Sequence, residues 1–81
     1  MGGHMHTHIT IEIGIDEDDT TTLVHTMLNM RGEVFNATGR ARRNPADPCI
    51  PLIGEELALA RALSSLERQI IDAAYERIDS E

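Results

Sequence analysis

His8-Ile9-Thr10-Ile11-Glu12-Ile13-Gly14-Ile15 alternates without a break, isoleucine at every odd position and a polar or small residue at every even one. Successive side chains of an extended chain point to opposite faces, so this period of two marks a half-buried β-strand. Four isoleucines on one face need an apolar cover, and the rest of the chain is read by asking what supplies it.

Immediately after the ribbon, Asp16-Glu17-Asp18-Asp19 places four acids in a row, the composition of a solvated hairpin loop. Thr20 to Met30 is rich in β-branched residues and reads as a second strand. Thr22, Val24, Thr26, Leu28 and Met30 share one parity; Leu23, His25, Met27 and Asn29 share the other. Arg31-Gly32-Glu33 is a short turn, and Val34 to Ala41 a third strand in which Gly39 marks a weak point or a bulge. Arg42 to Pro51 contains all three prolines and reads as a crossing loop.

Gly54 is the expected N-cap of a helix running to about Ile78, with Glu55 and Glu56 at the positive end of its dipole. At 100° per residue Leu59, Leu63, Leu66 and Ile70 fall on one stripe, widened by Ala62, Ala73 and Ala74 and shaped to lie on the isoleucine face. A second shoulder of Leu57, Ala60, Ile71, Tyr75 and Ile78 is left without a partner. About 24 helical residues span roughly 36 Å, more than an eight-residue strand at about 27 Å. The overhang and the second shoulder are therefore expected to pack on a second copy, as a homodimer. The fold class is α+β: a three-stranded antiparallel meander followed by one long C-terminal helix, β-β-β-α.

Eighty-one residues suffice for one core and not for two. Residues 6–81 are expected to form a single domain, and residues 1–5 a cloning remnant or disordered start, with the sequence leaving open whether His4, His6 and His8 are native. Aromatic residues make up 2% of the chain, only Phe35 and Tyr75, so the core is aliphatic and thin. A thin core is often completed by a partner subunit. A net charge of -7 with no lysine opposes unaided attraction to polyanions. The single Cys49 and the lack of a long apolar run point to the cytoplasm, with no membrane contact.

Candidate chemistry is sparse. His4, His6 and His8 alternate and could face one metal, but a ragged strand start explains them as well, and no metal site is assigned. Asp16 and Asp18 begin a calcium-loop pattern that Thr20 and Thr21 break. Cys49 has no base near it in sequence. No catalytic residue, cofactor or small-molecule substrate is assigned, and the expectation is a protein that is not an enzyme. Arg40, Arg42 and Arg43 form the one basic cluster, a candidate phosphate or RNA contact.

Taken together, Ile13-Gly14-Ile15-Asp16-Glu17, the stretch Gly39-Arg40-Ala41-Arg42-Arg43-Asn44-Pro45-Ala46-Asp47 and the stretch from Ile53 through Leu66 resemble a family of small actinobacterial proteins of unknown function. The resemblance spans residues 7 to 70. It implies a fold like that of double-stranded-RNA-binding domains, dimers in some members, a link to dormancy in mycobacterial relatives, and a likeness to ribosome hibernation factors. Arg40, Arg42, Asn44, Asp47, Glu56 and Arg61 match the family pattern without an established role. Glu55 and Glu56 stand where duplex-RNA binders carry lysines, which argues against direct duplex binding. The expectation is a dimeric regulatory or stress-adaptive protein with the ribosome as partner; the alternative is a protein-interaction module working through the Leu23 and Met27 face or the proline loop.

Overall fold

Three strands and one helix account for the structure, a computed structural model that describes residues 3–44, 46 and 50–80. Strand β1 is Ile11–Glu17, β2 is Thr21–Met30, β3 is Glu33–Arg42, and helix α1 is Pro51–Ser80. The sheet order is β1-β2-β3, antiparallel throughout. The expected β-β-β-α order and α+β class are what the chain forms.

Both hairpins are explained by local chemistry. Asp18 Oδ1 accepts from the Thr20 and Thr21 amides at 2.9 and 2.8 Å, closing the first turn. The acidic run is thereby divided: Asp16 and Glu17 belong to β1, which begins at Ile11 and not at His8. The second turn uses Arg31 and Gly32 at φ of 56° and 83°. Positive φ at both central residues is the twist-matched two-residue hairpin, and glycine supplies it at one position without strain.

α1 starts at Pro51, three residues before the expected cap, because proline fits the first helical turn, where its missing N–H costs nothing. Gly54 lies inside the helix and is a point of close approach: a Cβ there would stand 2.8 Å from Thr22 Oγ1. Gly39 is likewise no bulge, since Val24 pairs with it in an unbroken register. A Cβ at Gly39 would run into the Ala58 carbonyl oxygen and the Ala62 amide nitrogen. The helix backbone therefore rests almost directly on β3.

Of the expected stripe, Ala62 and Leu66 are buried and Leu59, Ile70 and Ala73 pack against them, while Leu63 is left out. Val24, Ala41, Ala58 and Ala62 form one buried cluster, and Leu28, Phe35, Ala37 and Leu66 another. Alanines at the line of nearest approach let the two backbones close up, which leaves Leu59 and Ile70 half-buried at the flank and Leu63 exposed. The two buried polar residues of β2 are both satisfied: Thr22 donates to Glu17 Oε1 at 3.3 Å and Thr26 to the Ala37 carbonyl at 3.1 Å.

The isoleucine face is the largest correction to the sequence reading. Ile11, Ile13 and Ile15 pair with Leu28, Thr26 and Val24, so they do share the face on which α1 lies. The helix, however, covers β3 and β2 and scarcely touches β1. Ile9, Ile11, Ile13 and Ile15 remain 40–47% exposed, and neither Ile11 nor Leu63 enters a buried cluster.

Candidate functional site

The core face of the sheet continues past the helix as an open apolar shelf. Its outer part is the isoleucine ribbon of β1, and its wall is the Leu59, Leu63 and Ile70 flank of α1. The opposite flank is polar and faces β3: Arg61 Nη1 donates to the Arg40 carbonyl and Gln69 Nε2 to the Asn36 carbonyl, both at 2.6 Å. The Arg77 guanidinium pairs with Glu33 at the far end. The Arg61 and Gln69 contacts fix which way the helix is rolled, and so which flank looks toward β1.

The two sheet edges differ in consequence. On β3, helix side chains occupy outward carbonyls. On β1 the outward groups can be located from the first turn, where the Asp18 amide donates to the Thr21 carbonyl at 3.0 Å. Asp18 thus turns its main chain toward β2, and by alternation so do Asp16, Gly14 and Glu12, opposite Leu23, His25 and Met27. Ile11, Ile13 and Ile15 turn their N–H and C=O groups the other way, to an edge with no neighbouring strand.

The face of the sheet away from α1 carries Glu12, Gly14 and Asp16 on β1, Leu23, His25 and Met27 on β2, and Asn36, Thr38, Arg40 and Arg42 on β3. His25 Nε2 lies 3.9 Å from Asp16 Oδ2. The arginine cluster is divided by this geometry. Arg40 and Arg42 are exposed two residues apart on this open face, whereas Arg43 Nε donates to the Asp19 carbonyl at 3.2 Å. Ala60, Ile71, Tyr75 and Ile78 are exposed on the side of α1 away from the sheet, and Leu57, also exposed, borders the cleft at the helix start.

At the helix start an open cleft of about 540 Å³ lies between the first hairpin, the end of β3 and α1. Thr20, Thr22, Ile53 and Leu57 line it together with Glu17, Asp19, Arg42 and Arg43, a mixture of both charge signs that selects no ligand charge. Beside it, the Glu55 carboxyl is held above its ordinary value of 4.5 by a hydrogen bond with the Glu17 carboxyl and by their mutual repulsion. Asp18 is held below its ordinary 3.8 by the two backbone amides it accepts.

The two shifts act with opposite sign. Glu55 binds its proton more tightly folded than unfolded, so stability rises as pH falls from neutral toward 4.5; Asp18 binds more weakly, so stability is lost as pH falls through and below 3.8. Glu55→Gln should flatten the first limb and leave the second. Urea midpoints at pH 7, 5 and 3 check both, and an unchanged profile in Glu55→Gln counts against the carboxyl pair.

His6 and His8 approach with Nε2 atoms 2.9 Å apart, but no group of three or more metal-ligating side chains assembles among the described residues. Of the other sequence candidates, Pro45, Asp47, Pro48 and Cys49 lie outside the described residues. No helix among those described is long and apolar enough to cross a membrane. The sequence pattern did not reveal that β1 would be left bare, nor that Arg61 and Gln69 would seal β3. A hint was available in Ala37, Gly39 and Ala41, small residues on one face that invite a helix to that strand.

Three antiparallel strands followed by one long helix, in one small α+β unit, define the class of protein. The chain belongs to the Rv2632c-like family, whose model matches residues 7–81. It is 38% identical over 77 residues to the uncharacterized protein Mb1767 of Mycobacterium bovis, covering 95% of this chain and 82% of that one. It is 39% identical over 67 residues to the uncharacterized protein Rv2632c of Mycobacterium tuberculosis, covering 83% and 72%. The crystal structure of Rv2632c superposes with a TM-score of 0.90 at 34% identity, covering 98% of this chain and 94% of the other.

Proposed function

We propose that this protein acts by binding, without catalysis, and that it does so as a homodimer with a regulatory or stress-adaptive role. The observation that carries the reading is the uncovered shelf: four isoleucines continue the core face of the sheet beyond the one helix among the described residues. Large contiguous apolar surface is rare on a small monomer and marks an association surface. The thin core supports the same conclusion, since among the described residues only Val24, Leu28, Phe35, Leu66 and a few alanines are both apolar and buried. Light scattering at micromolar concentration is expected to give twice the 9.0 kDa chain mass. A mass of one chain rejects the homodimer.

A second reading concerns the partner of that dimer. Arg40 and Arg42 stand exposed and two residues apart on the open sheet face, a spacing suited to successive backbone phosphates. In a dimer the pair occurs twice, and ribosomal RNA is the partner favoured by the sequence resemblance. Four phosphate contacts would give a log-log salt slope of about -3 for co-sedimentation with ribosomes. Arg40→Glu with Arg42→Glu should abolish it. Absence of co-sedimentation at low salt, or a salt-independent association, leaves the protein-interaction reading in its place, with the Leu23 and Met27 face as the docking surface.

A further inference from the structure

Ile50, Ile53 and Leu57, at the start of α1, are 46–50% exposed, yet all three border one space, the cleft of about 540 Å³ between the helix, the first hairpin and the end of β3. The buried cluster that reaches this cleft at Ala41 consists of Val24 and three alanines. Bulk that could have thickened the core lines an opening instead. A cleft of this size, apolar on one side with a few fixed polar groups on the other, has the build of a small-ligand site.

The polar groups come from the sheet side, and each is held by a neighbour. Thr22 Oγ1 donates to Glu17 Oε1 at 3.3 Å, Thr20 Oγ1 to Asp18 Oδ1 at 3.3 Å, and Arg43 Nε to the Asp19 carbonyl at 3.2 Å. The Arg43 amide donates to the Thr20 carbonyl at 2.7 Å, which ties the end of β3 to the hairpin. The missing Cβ of Gly54 lets the helix close on Thr22. The walls are thus set before any ligand arrives, which lowers the entropy lost on binding.

We propose that this cleft takes a small uncharged ring with an apolar face and an amide-like edge of hydrogen-bond donors and acceptors, the chemistry of a nucleobase. The charges of the lining decide against ions. An anion would meet Glu17 and Asp19 in a chain of net charge -7, and a cation would meet the guanidinium groups of Arg42 and Arg43. An uncharged amide edge uses both signs at once: carboxylate and threonine oxygens accept from it, and guanidinium and hydroxyl groups donate to it. Moving such a group out of water costs far less than moving an ion. The apolar face then lies against Ile53 and Leu57, and a rigid ring gives up less freedom there than a flexible chain. This inference goes beyond the homodimer proposed above and does not depend on it.

Benzamide, benzoate and benzamidinium share one shape and differ in charge, and uridine carries the proposed edge on a nucleobase. Titrated into the isotope-labelled chain, benzamide and uridine should shift the Thr20, Thr22, Gly54 and Leu57 amide resonances saturably. Benzoate and benzamidinium should bind at least about 10-fold more weakly than benzamide. Leu57→Asp, at an exposed position, should keep the amide spectrum of the fold and lower uridine affinity at least about 10-fold. Thr20→Val removes one hydroxyl from the polar wall and should lower it as well, whereas Tyr75→Asp, on the outer side of α1, should leave it unchanged. The proposal is overturned if neither uncharged probe gives a saturable shift at millimolar concentration, or if the three benzene derivatives bind alike. It is equally overturned if uridine binding survives both Leu57→Asp and Thr20→Val, or is lost in Tyr75→Asp. The mass of the chain in solution has no bearing on any of these outcomes.

Discussion

Gly39→Ala is expected to destabilise the fold by about 3 kcal/mol, the upper end of what overpacking in a core costs. The reason lies in what the new methyl would meet. Most added methyls press on side chains that can change rotamer, but at Gly39 the obstacles are the Ala58 carbonyl oxygen and the Ala62 amide nitrogen, parts of a helix backbone. Relief requires lifting α1 away from β3, which opens gaps around Val24, Ala41 and Ala62 in the same cluster. For a domain of this size each kcal/mol moves the thermal midpoint by 4–8 °C, so a fall of roughly 12–24 °C is expected at fixed protein concentration. Gly14→Ala is the control, since a Cβ there meets nothing within 4 Å and β1 is not covered. Its effect should stay within about 0.5 kcal/mol. Equal effects at the two glycines would mean that α1 does not rest on β3 as described.

The same glycine shows where the sequence could and could not be read. Element order and type were legible because each rests on local chemistry: the odd-numbered isoleucines, the Arg31-Gly32 turn, the proline-rich crossing, and the long run without glycine or proline. The parity of β2 was legible too, since Thr22, Val24, Thr26 and Leu28 are the buried ones. The placement of α1 across the sheet was not. Periodicity reports which residues share a face; it does not report which of three adjacent strands a helix will cover. That choice was decided by Ala37, Gly39 and Ala41 against Ala58 and Ala62, where small residues allow the nearest backbone approach. The four isoleucines of β1 would have held the helix further off.

The candidate surfaces were legible to a different degree. Arg40, Arg42 and Arg43 were visible as a cluster in sequence, but alternation sends only the first two to the open sheet face, and the turn engages the third with Asp19. The unpartnered shoulder of Leu57, Ala60, Ile71, Tyr75 and Ile78 does lie exposed, as its phase required. The bare edge of β1 could not be found by pattern at all. It depends on the close approach of Ala58 and Ala62 to Gly39, a contact between residues about 20 positions apart, with Arg61 and Gln69 engaging β3 beside it.

Leu66→Ala against Leu63→Ala is the most direct test of how the helix is rolled. Both leucines belong to the stripe expected from sequence, three residues apart, and their burial would be alike if that stripe faced the sheet. Leu66 is 2% exposed among Leu28, Phe35 and Ala37, whereas Leu63 is 38% exposed on the flank toward β1. Truncating a fully buried leucine removes its transfer free energy and leaves a cavity, so Leu66→Ala should cost about 3 kcal/mol. Phe35 and Leu28 can relax little into the gap, because the sheet register holds their backbones. Leu63→Ala should cost less than about 1 kcal/mol in a dilute sample, where only part of its surface is lost from contact. Chemical denaturation of both variants over a hundredfold range of protein concentration separates the roll of the helix from the use of its flank. A cost for Leu63→Ala that grows with concentration means that a second copy covers Leu63, through stability linked to association. A cost equal to that of Leu66→Ala at every concentration would restore the leucine stripe as the buried face and refute the packing described here.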